Sequence, residues 1–266
     1  MSVTGNEKPF REPRVTTRMY PITRRFLVLA VSLLAVTACR SSNPYKGLSD
    51  QQLYDRAQVQ FKKGDYSHTI RLLNHLTLTF GNSPLVPEAQ LLLAKADFAA
   101  KDYLTAHADY QTFLQRYPND PRAAAAALGA CDAMAHMSPI AERDQTYTKQ
   151  AITICDNVIA DYPGTDQASQ ATKMVEEMRE KLAKKEYLDA EFYLRRKLYD
   201  SAIKYFEFVV SDYPQTDWAP KALMGVYKAN KAIGYDDLAE RAKQRLMDKY
   251  PDSEEAKSLA DDGSNG

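Results

Sequence analysis

One spacing recurs along this 266-residue chain and restricts what it can fold into. An aromatic residue stands beside a polar turn, and fifteen positions later comes a residue that ends a helix: Tyr103 leads to Pro118 and Tyr199 to Pro214. Tyr66 leads to Gly81 in the same register, with Pro84 just beyond, and Tyr235 leads to Tyr250, one short of Pro251. The endings resemble one another: Tyr117-Pro-Asn-Asp, Tyr162-Pro-Gly-Thr, Tyr213-Pro-Gln-Thr and Tyr250-Pro-Asp-Ser. Small residues keep the same step, at Ala57, Ala94 and Ala190 nine positions before a tyrosine and at Ala106 and Ala202 three after it. Small side chains let antiparallel helices approach, the aromatic fills the space beside them, and proline cannot continue the hydrogen-bond ladder.

Self-similarity at a fixed period marks a repeat architecture, and this spacing resembles the tetratricopeptide repeat. The expected fold is all-α, an α-solenoid of about five helix pairs, over about 50–80, 87–117, 123–162, 168–213 and 219–250. In the third pair Pro139 falls inside the first helix, so that helix should end near Met137, with a loop to about Gln145. The first helix of the fourth pair should be long, about 168–195. Cys155 aligns with Tyr110 and Phe206, both packing positions.

The N-terminal forty residues speak about compartment. Arg24 and Arg25 precede an apolar run from Phe26 to Ala38. That run has the length of a signal-peptide core, roughly 7–15 residues, and is shorter than the roughly 20 that span a bilayer as a helix. It ends in Val36-Thr37-Ala38-Cys39, which resembles a lipobox, in which the cysteine thiol carries diacylglycerol through a thioether. The expected organisation is a signal peptide over 1–38, a lipid-anchored tether over 39–47, the repeat domain over 48–260 and a disordered tail over 261–266. Residues 1–18 are polar and precede an already complete signal, so Met19 is the expected start. Arg40 follows the cysteine; the absence of aspartate there implies, by resemblance to Gram-negative lipoproteins, sorting to the outer membrane.

After Cys39 is freed the chain would hold 29 basic and 33 acidic residues, which argues against a nucleic-acid footprint. Cys131 and Cys155 could pair in an oxidising compartment, but buried free thiols are the expectation. His68, His75, His107 and His136 are scattered and expected on the surface. No phosphate-binding glycine loop, nucleophile elbow or His-Glu-x-x-His motif is present. Neither an enzymatic activity, a cofactor nor a metal site is expected.

A closer likeness lies in Arg143-Asp144, Gln150-Ala151 and Asp161-Tyr-Pro-Gly-Thr165, then in Ala171-Thr-Lys173, Arg179-Glu-Lys-Leu-Ala-Lys184, Glu186-Tyr187, Ala190-Glu191, Tyr193 and Arg195 or Arg196. With the lipobox and five repeats, the chain resembles the BamD family of outer-membrane β-barrel assembly lipoproteins over about residues 48–250. The resemblance implies a scaffold on the periplasmic face of the outer membrane. Its C-terminal repeats would hold the barrel-assembly protein BamA, beside other lipoproteins of the machine, and its N-terminal repeats would receive unfolded outer-membrane proteins. Two rivals are a repeat coordinator of cell division or envelope biogenesis, which usually lacks a lipid anchor, and an enzyme such as a lytic transglycosylase, for whose catalytic domain the repeats leave no room.

The first helix of each pair is expected to line the concave face. Stepping along it from the tight-packing alanine places Tyr54, Phe61, Leu91 and Phe98 in an apolar groove stripe rimmed by polar groups, as candidate partner-binding residues. Cys39 is the candidate lipid-attachment residue. Cys39→Ala should release an intact folded domain from membranes; continued incorporation of labelled palmitate into the variant would sink the assignment.

Overall fold

The computed structural model describes residues 44–264, with side chains through Ala260. Cys39, the signal segment and most of the expected tether lie outside the described residues. From Leu48 onward the chain is one compact unit. Its helices are α1 (Asp50–Lys62), α2 (Tyr66–Thr79), α3 (Val86–Ala99), α4 (Tyr103–Arg116), α5 (Ala123–His136), α6 (Thr146–Asp161), α7 (Asp166–Arg195), α8 (Tyr199–Asp212), α9 (Trp218–Ala232), α10 (Asp236–Lys249) and α11 (Glu254–Ser264). The first ten form the five expected antiparallel pairs, here units one to five, and the fold is an all-α solenoid.

Local chemistry sets each boundary. Ser49 caps α1 in a reciprocal box with Gln52, through hydrogen bonds of 3.2 and 3.1 Å. Asp65, Asp102 and Thr165 accept from the third helical N–H of α2, α4 and α7. The second helix of every unit ends on an aromatic residue with non-helical backbone: Phe80, Tyr117, Tyr162, Tyr213 and Tyr250. Four of these precede proline, whose ring disfavours helical backbone in the residue before it.

The turns within units share one closure. In units one, two, four and five an N–H bonds back to a carbonyl five residues earlier: Asp65 to Gln60, Asp102 to Asp97, Leu198 to Tyr193 and Tyr235 to Asn230, at 2.9–3.0 Å. This Schellman closure needs a left-handed residue, supplied by Gly64 (φ 78°), Lys101 (φ 65°), Lys197 (φ 58°) and Gly234 (φ 80°). The register of unit five is thereby corrected by one residue. Tyr235 is the N-cap, 53% exposed, and the spacing of fifteen runs from Asp236 to Pro251.

With that register, two buried layers run through all the second helices. Twelve residues before the Gly or Pro at each helix end (Gly81, Pro118, Pro163, Pro214 and Pro251) stand Thr69, Ala106, Ala151, Ala202 and Ala239, and five before it stand Leu76, Phe113, Val158, Val209 and Leu246, all buried. Ala57, Ala94 and Ala190 are buried opposite them, as the spacing requires. Tyr199, in contrast to Ala202, is only half-buried.

Units two and three, and units four and five, are locked by an aromatic ring set against a glycine. A Cβ built on Gly225 of α9 would lie 2.6 Å from the Phe206 ring of α8, and one on Gly129 of α5 would overlap the Tyr110 ring of α4. Cys155, in the corresponding position of α6, instead forms a disulfide with Cys131 of α5. The expected free thiols are therefore replaced by a bond. Two positions in separate helical patterns, 24 residues apart, gave no distance from sequence; the antiparallel packing of α5 on α6 puts their Cα atoms 5.0 Å apart.

Two further expectations change, at His107 and in the tail, while the expected loop of unit three is kept. His107 is buried rather than on the surface, with Nδ1 3.1 Å from the Ala130 carbonyl. The loop over 137–145 is ordered by Gln145, whose Nε2 donates to the carbonyls of Ile140 and Arg143 at 2.8 and 2.9 Å. After Pro251 the chain forms α11, which buries Ala256 and Leu259 against the core of the last unit. Ser253 caps its start, and the helix runs to Ser264, taking in four residues of the segment expected to be a disordered tail.

A disulfide closing a loop of this length contributes about 3 kcal/mol in the chain-entropy account. Cys131→Ala with Cys155→Ala should lower the melting temperature by roughly 5–10 °C and speed amide exchange in α5 and α6. An unchanged melting temperature would mean the bond does not hold unit three.

Candidate partner-binding groove

The candidate residues sit on α1 and α3, the first helices of units one and two. Tyr54 is half-buried, and its hydroxyl faces polar groups. Burial first, then the nearby Glu88 carboxylate, push its pKa up, while Gln58 and Arg122 act the other way. Arg122 Nη1 lies 3.2 Å from Glu88 Oε1, and its Nε and Nη2 both donate to Asp120 at 2.8 Å. That fork holds the Asp120 carboxyl down at about 2. A polar chain, Tyr54–Glu88–Arg122–Asp120, therefore runs across units one to three.

Leu91 is not part of an exposed stripe. It is 5% exposed and packs with Ala94, Ala106, Ala126 and Ala130. The cause lies in α5, whose first five residues are alanines, Ala123 to Ala127. They leave room for α5 to close over the position of α3 at which Leu91 points. Tyr54, three positions before Ala57 as Leu91 is before Ala94, meets the Glu88 carboxylate instead.

Phe61 and Phe98 both lie half-buried beside the turns of their units. Phe61 meets Tyr66 edge-on at 5.6 Å. Phe98 meets Tyr103 at 5.3 Å and His136 at 5.1 Å, both edge-on, and backs onto the core of unit two. Each ring is partly structural and partly open. The N-terminal patch is thus two separate aromatic clusters with a polar chain beside them, in place of one continuous apolar stripe.

Unit four carries a second surface. Arg196 stacks over Phe192 at 4.2 Å, and Arg195 pairs with Glu191 at 3.6 Å. Tyr193 stacks on Tyr205 at 5.2 Å. Phe192 and Leu198 stand exposed beside these cations, and Lys197 projects from the left-handed turn. Sequence reading singled out the two arginines but not Phe192 or Leu198. Leu198 carried a signal, being a large apolar residue at the turn position held by Asp65 and Asp102 in units one and two; Phe192 carried none, since it stands where Val59, Ala96 and Ala229 stand in the other units.

The described residues bring no three His, Cys, Asp or Glu side chains into a metal-holding group, and no described helix is long and apolar enough to cross a membrane.

Residues 46–246 match the family model of YfiO, an outer membrane lipoprotein. The chain is 25% identical over 229 residues to the outer membrane protein assembly factor BamD of Pasteurella multocida, covering 82% of this chain and 88% of that one. It is 27% identical over 251 residues to a putative BamD of Aquifex aeolicus, covering 88% and 80%. Among solved structures, the TPR2AB domain of yeast Sti1 in complex with pHSP90 superposes with a TM-score of 0.42 at 12% identity, over 78% of this chain and 80% of that one. With a match extending from just before α1 into α10, the chain belongs to the YfiO family of outer membrane lipoproteins.

Proposed function

We propose that this chain is a lipid-anchored periplasmic scaffold of the β-barrel assembly machinery, acting by binding and without catalysis. The observation that carries the reading is the family match through all five units, to relatives named as outer membrane protein assembly factors. The lipobox ending in Cys39 supports the anchor. The buried Cys131–Cys155 disulfide supports an oxidising compartment. Units four and five, with the cation and aromatic cluster at Phe192–Leu198, would hold a BamA-like partner. Units one and two, with Tyr54, Phe61 and Phe98, would receive unfolded barrel proteins. Aromatic and arginine side chains suit both tasks, since they anchor interfaces at low conformational cost.

Capture of the Cys39-anchored chain from detergent-solubilised membranes should bring down a large β-barrel protein bearing periplasmic domains; its repeated absence would refute the scaffold reading. The N-terminal patch is tested separately. Tyr54→Ala with Phe98→Ala should weaken binding of a barrel-derived C-terminal peptide roughly tenfold, the scale of one interface anchor, while BamA association persists. Unaltered peptide binding by a natively folded variant would place substrate reception elsewhere.

A further inference from the structure

The contact of ring and glycine between units has a fixed spacing, and unit three reverses it. Gly129 follows Tyr110 by nineteen residues and Gly225 follows Phe206 by the same step; nineteen after Cys155 stands Met174. At this junction the small residue is on α6 and the large one on α7. Met174 fills the space from the opposite side, and its Sδ lies 3.4 Å from the Cys131 sulfur. Both cysteines are 0% exposed, in one buried cluster with Ala127, Val158, Ala171 and Val175. Met174 itself is half-buried. Its side chain therefore meets the disulfide on its inner side and solvent on its outer side.

Thiol–disulfide exchange requires the attacking sulfur to reach the bond itself, through a mixed disulfide whose carrier must fit against the chain. Met174 and the start of α7 occupy that approach. We propose that Met174 seals the Cys131–Cys155 bond, so that a protein thiol oxidase makes the bond before α7 docks and the folded chain is afterwards closed to the thiols of its compartment. In the reaction one chain thiolate attacks the oxidase disulfide, and the second chain cysteine then displaces the oxidase from the mixed disulfide. The two chain thiols lose two electrons and two protons, and the oxidase leaves as its dithiol. Chain order suits this timing, because Ala171, Met174 and Val175 follow both cysteines and leave the membrane after them in an exported chain. A chain that folded first would enclose two thiols beneath the same cover and stay reduced. The timing rests on the export reading; the seal does not, and purified chain tests it whether or not the assembly reading holds.

The test is reduction of the full chain by dithiothreitol, folded and in denaturant, with Cys131 and Cys155 alkylated after quenching and read by mass spectrometry. The folded chain should be reduced more than about a hundredfold more slowly than the unfolded one, since attack waits on local opening; a smaller factor would overturn the seal. Met174→Ala should speed reduction of the folded chain about tenfold by opening a cavity over the bond, with the unfolded rate unchanged. Met174→Leu, which keeps the volume, should stay slow. Leu246→Ala, in the buried layer of unit five, controls for lost stability and should leave the rate as in the wild type, because a repeat unit is coupled mainly to its neighbours. No acceleration by Met174→Ala, or equal acceleration by Met174→Leu or Leu246→Ala, would overturn the seal. Chain folded with both thiols reduced should resist oxidised glutathione, while the same chain in denaturant should form the bond. Ready oxidation of the folded dithiol would overturn the timing, since no oxidase would then have to precede α7.

Discussion

No unit of this array can cover its own apolar surface, and in units two and four the aromatic side chain that the second helix offers to the next unit is where that constraint is met. Tyr110 and Phe206 are buried only because Gly129 and Gly225 leave the backbone of the following helix bare beneath their rings. A methyl group at either glycine would force the ring out, and the neighbouring unit with it. The remaining features of the fold follow from keeping this contact repeatable. The aromatic that stops each second helix, the proline or glycine after it and the left-handed turn residue all fix where the next helix starts, so the rings arrive in register. After unit five it is α11 that packs on the second helix, with Ala256 and Leu259.

Unit three is where the pattern breaks and where a different bond replaces it. Cys155 stands where Tyr110 and Phe206 stand elsewhere, and a thiol is too small to plug a neighbouring helix. The disulfide to Cys131 turns that deficit inward, joining α5 to α6 covalently, while Met174 of α7 reaches to 3.4 Å from the Cys131 sulfur. The connection within this unit is also irregular and is held by side chains. Lys181 of α7 donates to Ser138 at 2.7 Å, and Ser138 lies 2.7 Å from Thr148. The 30-residue helix α7 makes this possible, since its N-terminal part packs on α6 and its C-terminal part on α8. One helix thus serves the third unit as a cover and the fourth as its first helix.

The repeat was legible because it is written in residues whose backbone chemistry is local. Proline, glycine and the small buried alanines placed ten helices to within a few residues. What was not legible depended on distance or on a neighbouring surface. Cys131 and Cys155 gave no sign of pairing, because nothing in a helical pattern states the rotation of one helix against another. Leu91 looked like groove lining by its offset from Ala94, but the coverage of that offset is decided by α5, a different helix. Tyr235 imitated the packing tyrosine in type and lies one residue from its place; only the left-handed Gly234 and the bond from Tyr235 N–H to the Asn230 carbonyl reveal the slip. His107 belongs to the same class: its burial depends on a carbonyl of the next unit.

The turns separate what the fold requires from what it tolerates. The Schellman closure requires a left-handed residue at four places, and glycine meets that requirement without strain at Gly64 and Gly234. Lys101 and Lys197 meet it at a cost of about 1 kcal/mol each, the penalty of a side chain in left-handed backbone. Glycine would satisfy the turn equally well, so the fold itself gives no reason for lysine. Lys197 projects its charge beside Arg195, Arg196 and the exposed Phe192 and Leu198, extending the cationic rim of unit four. The strain at that turn therefore falls on the same edge that the assembly reading assigns to a partner, whereas the glycine turn of unit one spends nothing on charge. The pattern is that of an array whose interior is dictated by packing and whose turns, free of that demand, differ from unit to unit in the surface they present.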